Sequence, residues 1–225
     1  SLTLAGAALA AGTGVVRATH AAGNDQIRVA VIGCGGRGAG AAANCLEADP
    51  AVKIVAIADT FQDRIDSALN LLQGKFGERV DVPSERQFAG LDAYRQAIAC
   101  DAQLVVLATP PGFRPAQYAA AVQAGKHVFM EKPLCVDAPG FRSLMATNQR
   151  ADDTGLKVVV GLQRHHQSRY VEGMQRIHDG QIGEIDFLRV YWNGGPIWIK
   201  PRQPGWTELE YQIRNWNVFR WLSGD

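Results

Sequence analysis

Two hundred and twenty-five residues correspond to about one and a half domains of ordinary size, and a hydrophobic content of 47% suffices for a sizeable core. With 23 Lys and Arg against 22 Asp and Glu, a net charge of +1 argues against nucleic acid or an anionic membrane as the main partner, because both reward a concentrated basic surface. No run of about 18 strongly apolar residues suggests a membrane span, and Cys34, Cys45, Cys100 and Cys135 form neither a Cys-x-x-Cys pair nor a Cys/His cluster, so reduced thiols are expected rather than a metal site or a disulfide framework.

In chain order, residues 1–25 read as a leader. Leu2 to Val16 is a weakly hydrophobic Ala/Gly/Leu run, and Val16-Arg17-Ala18 fits a small-x-Ala cleavage pattern, so the stretch is expected to be an export-signal remnant. Ile27 to Ile32 is a β-branched run ending at Gly33, and Ala39 to Leu46 is expected to be a helix closed by Asp49-Pro50. Val52 to Ala58 predicts a second buried strand ending at Asp59, and the apolar spacing at 65, 68, 69, 72 and 76 predicts a helix from Asp63 to Phe76. Phe88-Ala89-Gly90 is a minimal third strand before a helix at Asp92 to Cys100. Leu104 to Ala108, His127 to Met130 and Val158 to Val160 supply three more strands, separated by helices at Pro115 to Ala124 and Ala138 to Asp152.

Strands that alternate with helices and are apolar throughout belong to a parallel sheet covered on both faces. The fold class is therefore α/β, with a doubly wound domain over residues 26–161. A different pattern begins at 162: a helix from about Ser168 to His178, then Ile185 to Trp192, whose later part mixes apolar and polar residues as a strand with one covered face does. Residues 162–225 are read as the start of a second, sheet-based domain. Tyr211, Trp216, Phe219 and Trp221 crowd the end of the chain, which suggests a fragment cut inside that domain.

Gly33-Cys34-Gly35-Gly36-Arg37-Gly38 satisfies G-x-G-x-x-G between a strand and a helix. Glycines there permit a tight turn and close backbone approach, while the helix start offers N–H groups and a positive dipole to a pyrophosphate. Asp59, 21 residues beyond Gly38, stands where a carboxylate accepts from the adenosine ribose. Its charge favours NAD over NADP, although Arg64 one turn later leaves NADP open. Arg37 is read either as a phosphate contact or as a solvated helix-start residue, and Cys34 as a space-filling residue of the turn. Thr109-Pro110-Pro111 and Glu131-Lys132-Pro133 stop the fourth and fifth strands at the ligand-bearing carboxyl edge. Pro133 keeps Lys132 extended, so its ammonium is expected to enter the crevice away from bulk water, where its pKa can fall far enough for proton transfer.

The glycine loop, Ala108-Thr109-Pro110-Pro111, Glu131-Lys132-Pro133 and Gly161-Leu162-Gln163-Arg164, in this order, resemble the glucose-fructose oxidoreductase/inositol dehydrogenase (Gfo/Idh/MocA) family over nearly all of residues 26 to 225. The stretch Tyr211-Gln212-Ile213-Arg214-Asn215-Trp216 is similar to its exported branch, which would use twin-arginine export to the periplasm. The resemblance implies a Rossmann domain followed by an α/β domain with a large, mostly antiparallel open sheet that serves homo-oligomer contacts. It also implies hydride transfer between nicotinamide and a sugar or polyol carbon. Lys132 would then assist proton removal from the substrate hydroxyl, and Thr109, Pro110 and Glu131 would lie near the nicotinamide half. Arg164 would be an active-site arginine, His166 is a candidate substrate contact, and His165 departs from the family's usual second basic residue. The family's acidic-x-x-x-His pair would be expected beyond Asp225. An NAD-dependent glycoside hydrolase and a non-catalytic nucleotide-binding protein are the rival readings.

Overall fold

The computed structural model describes residues 26–224; the leader reading for 1–25 lies outside them. Six strands form one parallel sheet in the order β3-β2-β1-β4-β5-β6. They are β1 (Ile27–Ile32), β2 (Val52–Asp59), β3 (Gln87–Ala89), β4 (Leu104–Leu107), β5 (His127–Met130) and β6 (Val158–Val160). The direction of strand progression reverses between β1 and β4, so the carboxyl ends of β1, β2 and β4 surround the switch point where ligands of doubly wound folds bind.

The unbroken apolar character of the strands follows from their two covered faces. In β1, Val29 and Val31 point to one core and Ala30 and Ile32 to the other, all buried. The first core is closed by α1 (Gly36–Ala48) and α2 (Gln62–Phe76), through residues such as Leu46, Ile65 and Leu72. The second is closed by α3 (Ala93–Ala99), α4 (Arg114–Gln123) and α5 (Ala138–Asp153), through Ile98, Tyr118 and Leu144 among others. Burial on this scale is worth roughly 1.5–3 kcal/mol per large aliphatic side chain, which outweighs the low helix propensity of α1. That helix begins at Gly36, three residues before the expected start. Three glycines in its first five residues disfavour a helix by about 1 kcal/mol each, and docking on the sheet overrides them.

Beyond β6 the structure departs from expectation. α6 (Ser168–His178) forms as predicted, but it buries none of its residues. Residues 184–200 form no strand, which corrects the expectation at Ile185 to Trp192. A strand needs a neighbour for its backbone N–H and C=O groups, and Phe187 and Trp192 are instead 73% and 81% exposed. Two helices absent from the sequence reading follow, α7 (Glu208–Arg214) and α8 (Arg220–Ser223). They pack back on the first domain, so the aromatic cluster near the chain end finds partners there: Trp221 meets Phe113 edge-on at 5.9 Å between ring centroids. Among the described residues no helix is long and apolar enough to cross a membrane, and all four cysteines are free.

Candidate functional site

A cleft of about 370 Å³ opens at the switch point, lined by Gly33, Gly35, Gly36 and Arg37 of the glycine loop, Asp59 to Phe61 after β2, and Thr109 and Pro110 after β4. The glycines divide by task. At Gly38 an added Cβ would lie 1.7 Å from the Gly33 carbonyl oxygen, and at Gly33, whose φ is +93°, it would lie 2.7 Å from the Ala108 backbone. These two let α1 seat against the strand ends. At Gly35 and Gly36 a Cβ meets nothing within 4 Å, so the backbone there faces open cleft. The first turn of α1 carries no acidic residue and Gly35 supplies no side-chain cap, so the free N–H groups and the positive end of the helix dipole remain for an anion. This cradle fits a dinucleotide pyrophosphate.

Asp59 closes the other side of the loop. Its carboxylate accepts the Cys34 amide at 2.6 Å and the Phe61 amide at 3.0 Å. Burial pushes its pKa up, and the two amides pull it back. Each oxygen keeps a further acceptor site for a ribose hydroxyl. Cys34 is buried, its thiol donates to the Ala58 carbonyl at 3.2 Å, and burial together with Asp59 raises its pKa well above the ordinary value. A thiol held protonated in this way is a packing residue.

Arg37 lines the cleft and its guanidinium pairs with the buried Glu131 carboxylate at 2.7 Å, tying the glycine loop to the end of β5. Gly161 makes room for that carboxylate, since a Cβ there would lie 2.7 Å from Glu131 Oε1. Thr109 Oγ1 bonds Gln117 Oε1 at 2.5 Å.

Arg114 belongs to no motif. Only 1% exposed, it donates Nη1 to the Glu131 carbonyl at 2.6 Å and also to the Pro133 carbonyl, and Nη2 to the Thr109 carbonyl. Burial lowers its pKa to about 10, with Glu131 opposing the shift. One guanidinium thus braces both strand-end turns, on either side of Lys132. A lone arginine at a helix start reads as a solvated charge; the signal that could have exposed it is its place four residues after Pro110, facing the turn it supports.

Lys132 itself is exposed and does not line the cleft, so its expected withdrawal from bulk water is not what the structure shows. Arg164 and His166 also lie outside the cleft. Arg164 stacks over Trp192 at 5.1 Å, and His166 lines a second cavity of about 310 Å³ with Arg37, Glu131 and Gly161. Four cleft residues come from a region the sequence reading leaves without a role there: Trp198, Ile213, Arg214 and Trp216.

Comparison with known proteins places the fold in a known family. Residues 27–162, more than half of the chain, match the family model described as "Oxidoreductase family, NAD-binding Rossmann fold". The chain belongs to the Gfo/Idh/MocA family. Among curated members, scyllo-inositol 2-dehydrogenase (NAD(+)) of Bacillus subtilis is 26% identical over 202 residues, 88% of this chain and 54% of that protein. The dTDP-3,4-didehydro-2,6-dideoxy-alpha-D-glucose 3-reductase of Actinomadura kijaniata is 32% identical over 72% of this chain and 44% of its own length. A crystal structure of scyllo-inositol dehydrogenase from Lactobacillus casei with bound NAD(H) and scyllo-inositol superposes with a TM-score of 0.58 at 25% identity, covering 71% of this chain and 43% of that one. The chain spans about half, or less, of the length of the curated relatives it matches.

Proposed function

We propose that this chain binds NAD(H) and serves hydride transfer between the nicotinamide and a ring carbon of a sugar or polyol. The observation that carries the reading is the open glycine cradle at the start of α1, set beside Asp59 at the carboxyl edge of the sheet. The loop amides of Gly35 and Gly36 would hold the pyrophosphate, and Asp59 would accept from the adenosine ribose. Bound NAD supplies the hydride acceptor or donor. Thr109 and Pro110, fixed through Arg114, shape the wall near the nicotinamide, and Glu131 holds Arg37 at the glycine loop. Asp59 favours NAD, because a carboxylate repels a 2′-phosphate; Arg64 in the same cleft leaves room for NADP.

Lys132 is proposed to hydrogen-bond the substrate hydroxyl and assist its deprotonation from the tip of β5. Arg164 is proposed as a substrate contact on the resemblance, and His166 as a further candidate from its place two residues on. The polyol class rests on the inositol dehydrogenases among the relatives. Lys132→Ala should lower turnover by about 100-fold, the lower end of general acid–base contributions, with NAD affinity changed less than twofold. Equal losses in both would remove Lys132 from the proton-handling role.

A second reading is favoured by one relative, a glycosyl hydrolase family 109 protein of Streptomyces coelicolor, 27% identical over 73% of this chain. Release of phenol from an aryl glycoside without net NADH would select hydrolysis; NADH accumulation with a polyol would select dehydrogenation. Export and homo-oligomerisation complete the proposal. The first rests on the Ala/Gly/Leu leader and is tested by periplasmic fractionation. The second rests on the exposed apolar residues of 185–199 and is tested by light scattering.

A further inference from the structure

We infer that residues 196–224 form a strap that walls the outer side of the dinucleotide cleft, with Arg214 as the residue that positions it. The inference rests on the dinucleotide reading above and extends the site beyond the six-stranded domain.

The strap is fastened at two corners of the sheet edge. At the β2–α2 corner, Arg214 makes two parallel bonds to Asp63, both 3.0 Å, and a third to Glu210 at 2.9 Å. Its guanidinium carbon lies 3.8 Å from the centroid of the Phe61 ring and 4.9 Å from that of Trp206. Bidentate, charge-assisted pairs of this kind are directional, and stacking on an aromatic face adds to them. Arg214 is only 12% exposed while Asp63 is 60% exposed, so the pair can part toward solvent. At the β4–α4 corner, the Gly112 amide donates to the Leu222 carbonyl at 2.9 Å, and Leu222 is fully buried. A Cβ at Gly112 would lie 2.3 Å from the Trp221 carbonyl oxygen, so the close approach requires glycine.

Between the two fastenings runs the edge of β1 with its glycine loop. The strap holds its own shape through the buried Asn215, which accepts the Lys200 amide at 2.6 Å and donates to the Lys200 carbonyl at 3.2 Å. Trp198, Ile213 and Trp216 of the strap line the same cleft as the loop. A dinucleotide lying from Asp59 to Thr109 passes beneath the strap, and one fastening has to open before it leaves. Gating of this sort acts on the dissociation rate more than on association.

The test is stopped-flow release of NADH, displaced by excess NAD, from the wild-type chain, Arg214→Met and Gly112→Ala. The two variants loosen opposite ends of the strap by unrelated means, so a folding defect in one does not decide the outcome. Each should release NADH on the order of tenfold faster than wild type, as befits loss of one fastening worth a single decade. Arg214→Lys should fall between, and adding Asp63→Asn to Arg214→Met should add little, because both remove the same contact. A merely structural role would lower melting temperature and leave the release rate alone. Wild-type release rates in both natively folded variants overturn the strap. If the wild-type chain binds no NADH, the dinucleotide reading fails and the inference falls with it.

Discussion

Residues 26–161 and residues 162–224 differ in how they satisfy the same physical demands. In the first region the long strands β1 and β2 are buried between helices on both faces, so the backbone at the sheet edge is fixed by burial. In the second, α6 buries nothing, and Phe187, Leu188, Val190 and Trp192 stand in solvent. Order returns only where α7 and α8 borrow the first region's surface. A buried edge presents backbone amides and a carboxylate to a ligand at fixed positions, whereas the second region reaches the dinucleotide cleft only where it is fastened to that edge.

Substitutions can be chosen to break this contrast. The largest effect is expected at Gly38→Ala, where the new methyl group would meet the Gly33 carbonyl, a backbone atom with no room to move. Separation of α1 from the sheet end should remove dinucleotide binding by 100-fold or more, with a stability loss of about 3 kcal/mol by the overpacking scale; binding titrations and thermal melts report both. Arg114→Met comes next. It leaves the carbonyls of Thr109, Glu131 and Pro133 without their donor, and at about 1 kcal/mol or more per unsatisfied buried group the loss should be roughly 3 kcal/mol. Chemical denaturation measures it, and a loss below the uncertainty of the extrapolation would contradict the brace.

Two carboxylates near the cleft should respond to pH with opposite signs. Burial raises the pKa of Asp59, so its contribution to stability is present below its unfolded pKa and is lost as pH rises through the folded value. Asp63 is held below its ordinary value, first by the hydrogen bond from Arg214. Its contribution is present above the unfolded pKa and is lost as pH falls through the folded one. Relative to Asp59→Asn, wild-type stability should therefore decline from about pH 4 upward, and relative to Asp63→Asn it should decline downward from there. Denaturant melts across pH 3–7 follow both; slopes of the same sign would contradict the assignments. The smallest effect is expected at Phe187→Ser, within about 0.5 kcal/mol of wild type because the ring packs on little in this chain. A large loss would mean that the 184–200 stretch is ordered by contacts the structure does not contain.

The sequence reveals the first region far better than the second, for a physical reason. Strands covered on both faces have to be continuously apolar, and a loop that meets a phosphate has to be glycine-rich, so both leave local traces. Arg37 and Glu131 are 94 residues apart, and their pairing leaves none. Arg114 looks like any helix-start arginine until the turns it braces are brought beside it. The aromatic run of 211–222 advertises burial but not its partner, because short helices have too few turns for a periodicity. At Ile185 to Trp192 a local strand pattern is present without the neighbour that would make it a strand.

Gly35 offers the most direct measurement. Its backbone is extended, with φ −64° and ψ 178°, which any residue adopts, and a Cβ there meets nothing within 4 Å. Gly35→Leu should fold like wild type while filling the space where the pyrophosphate is expected. Calorimetric titration of the two proteins with NAD should give binding heat for the wild type and none for the variant, at melting temperatures within about 2 °C of each other. Equal heats in both, or none from the wild type, would contradict the claim that this loop holds a dinucleotide.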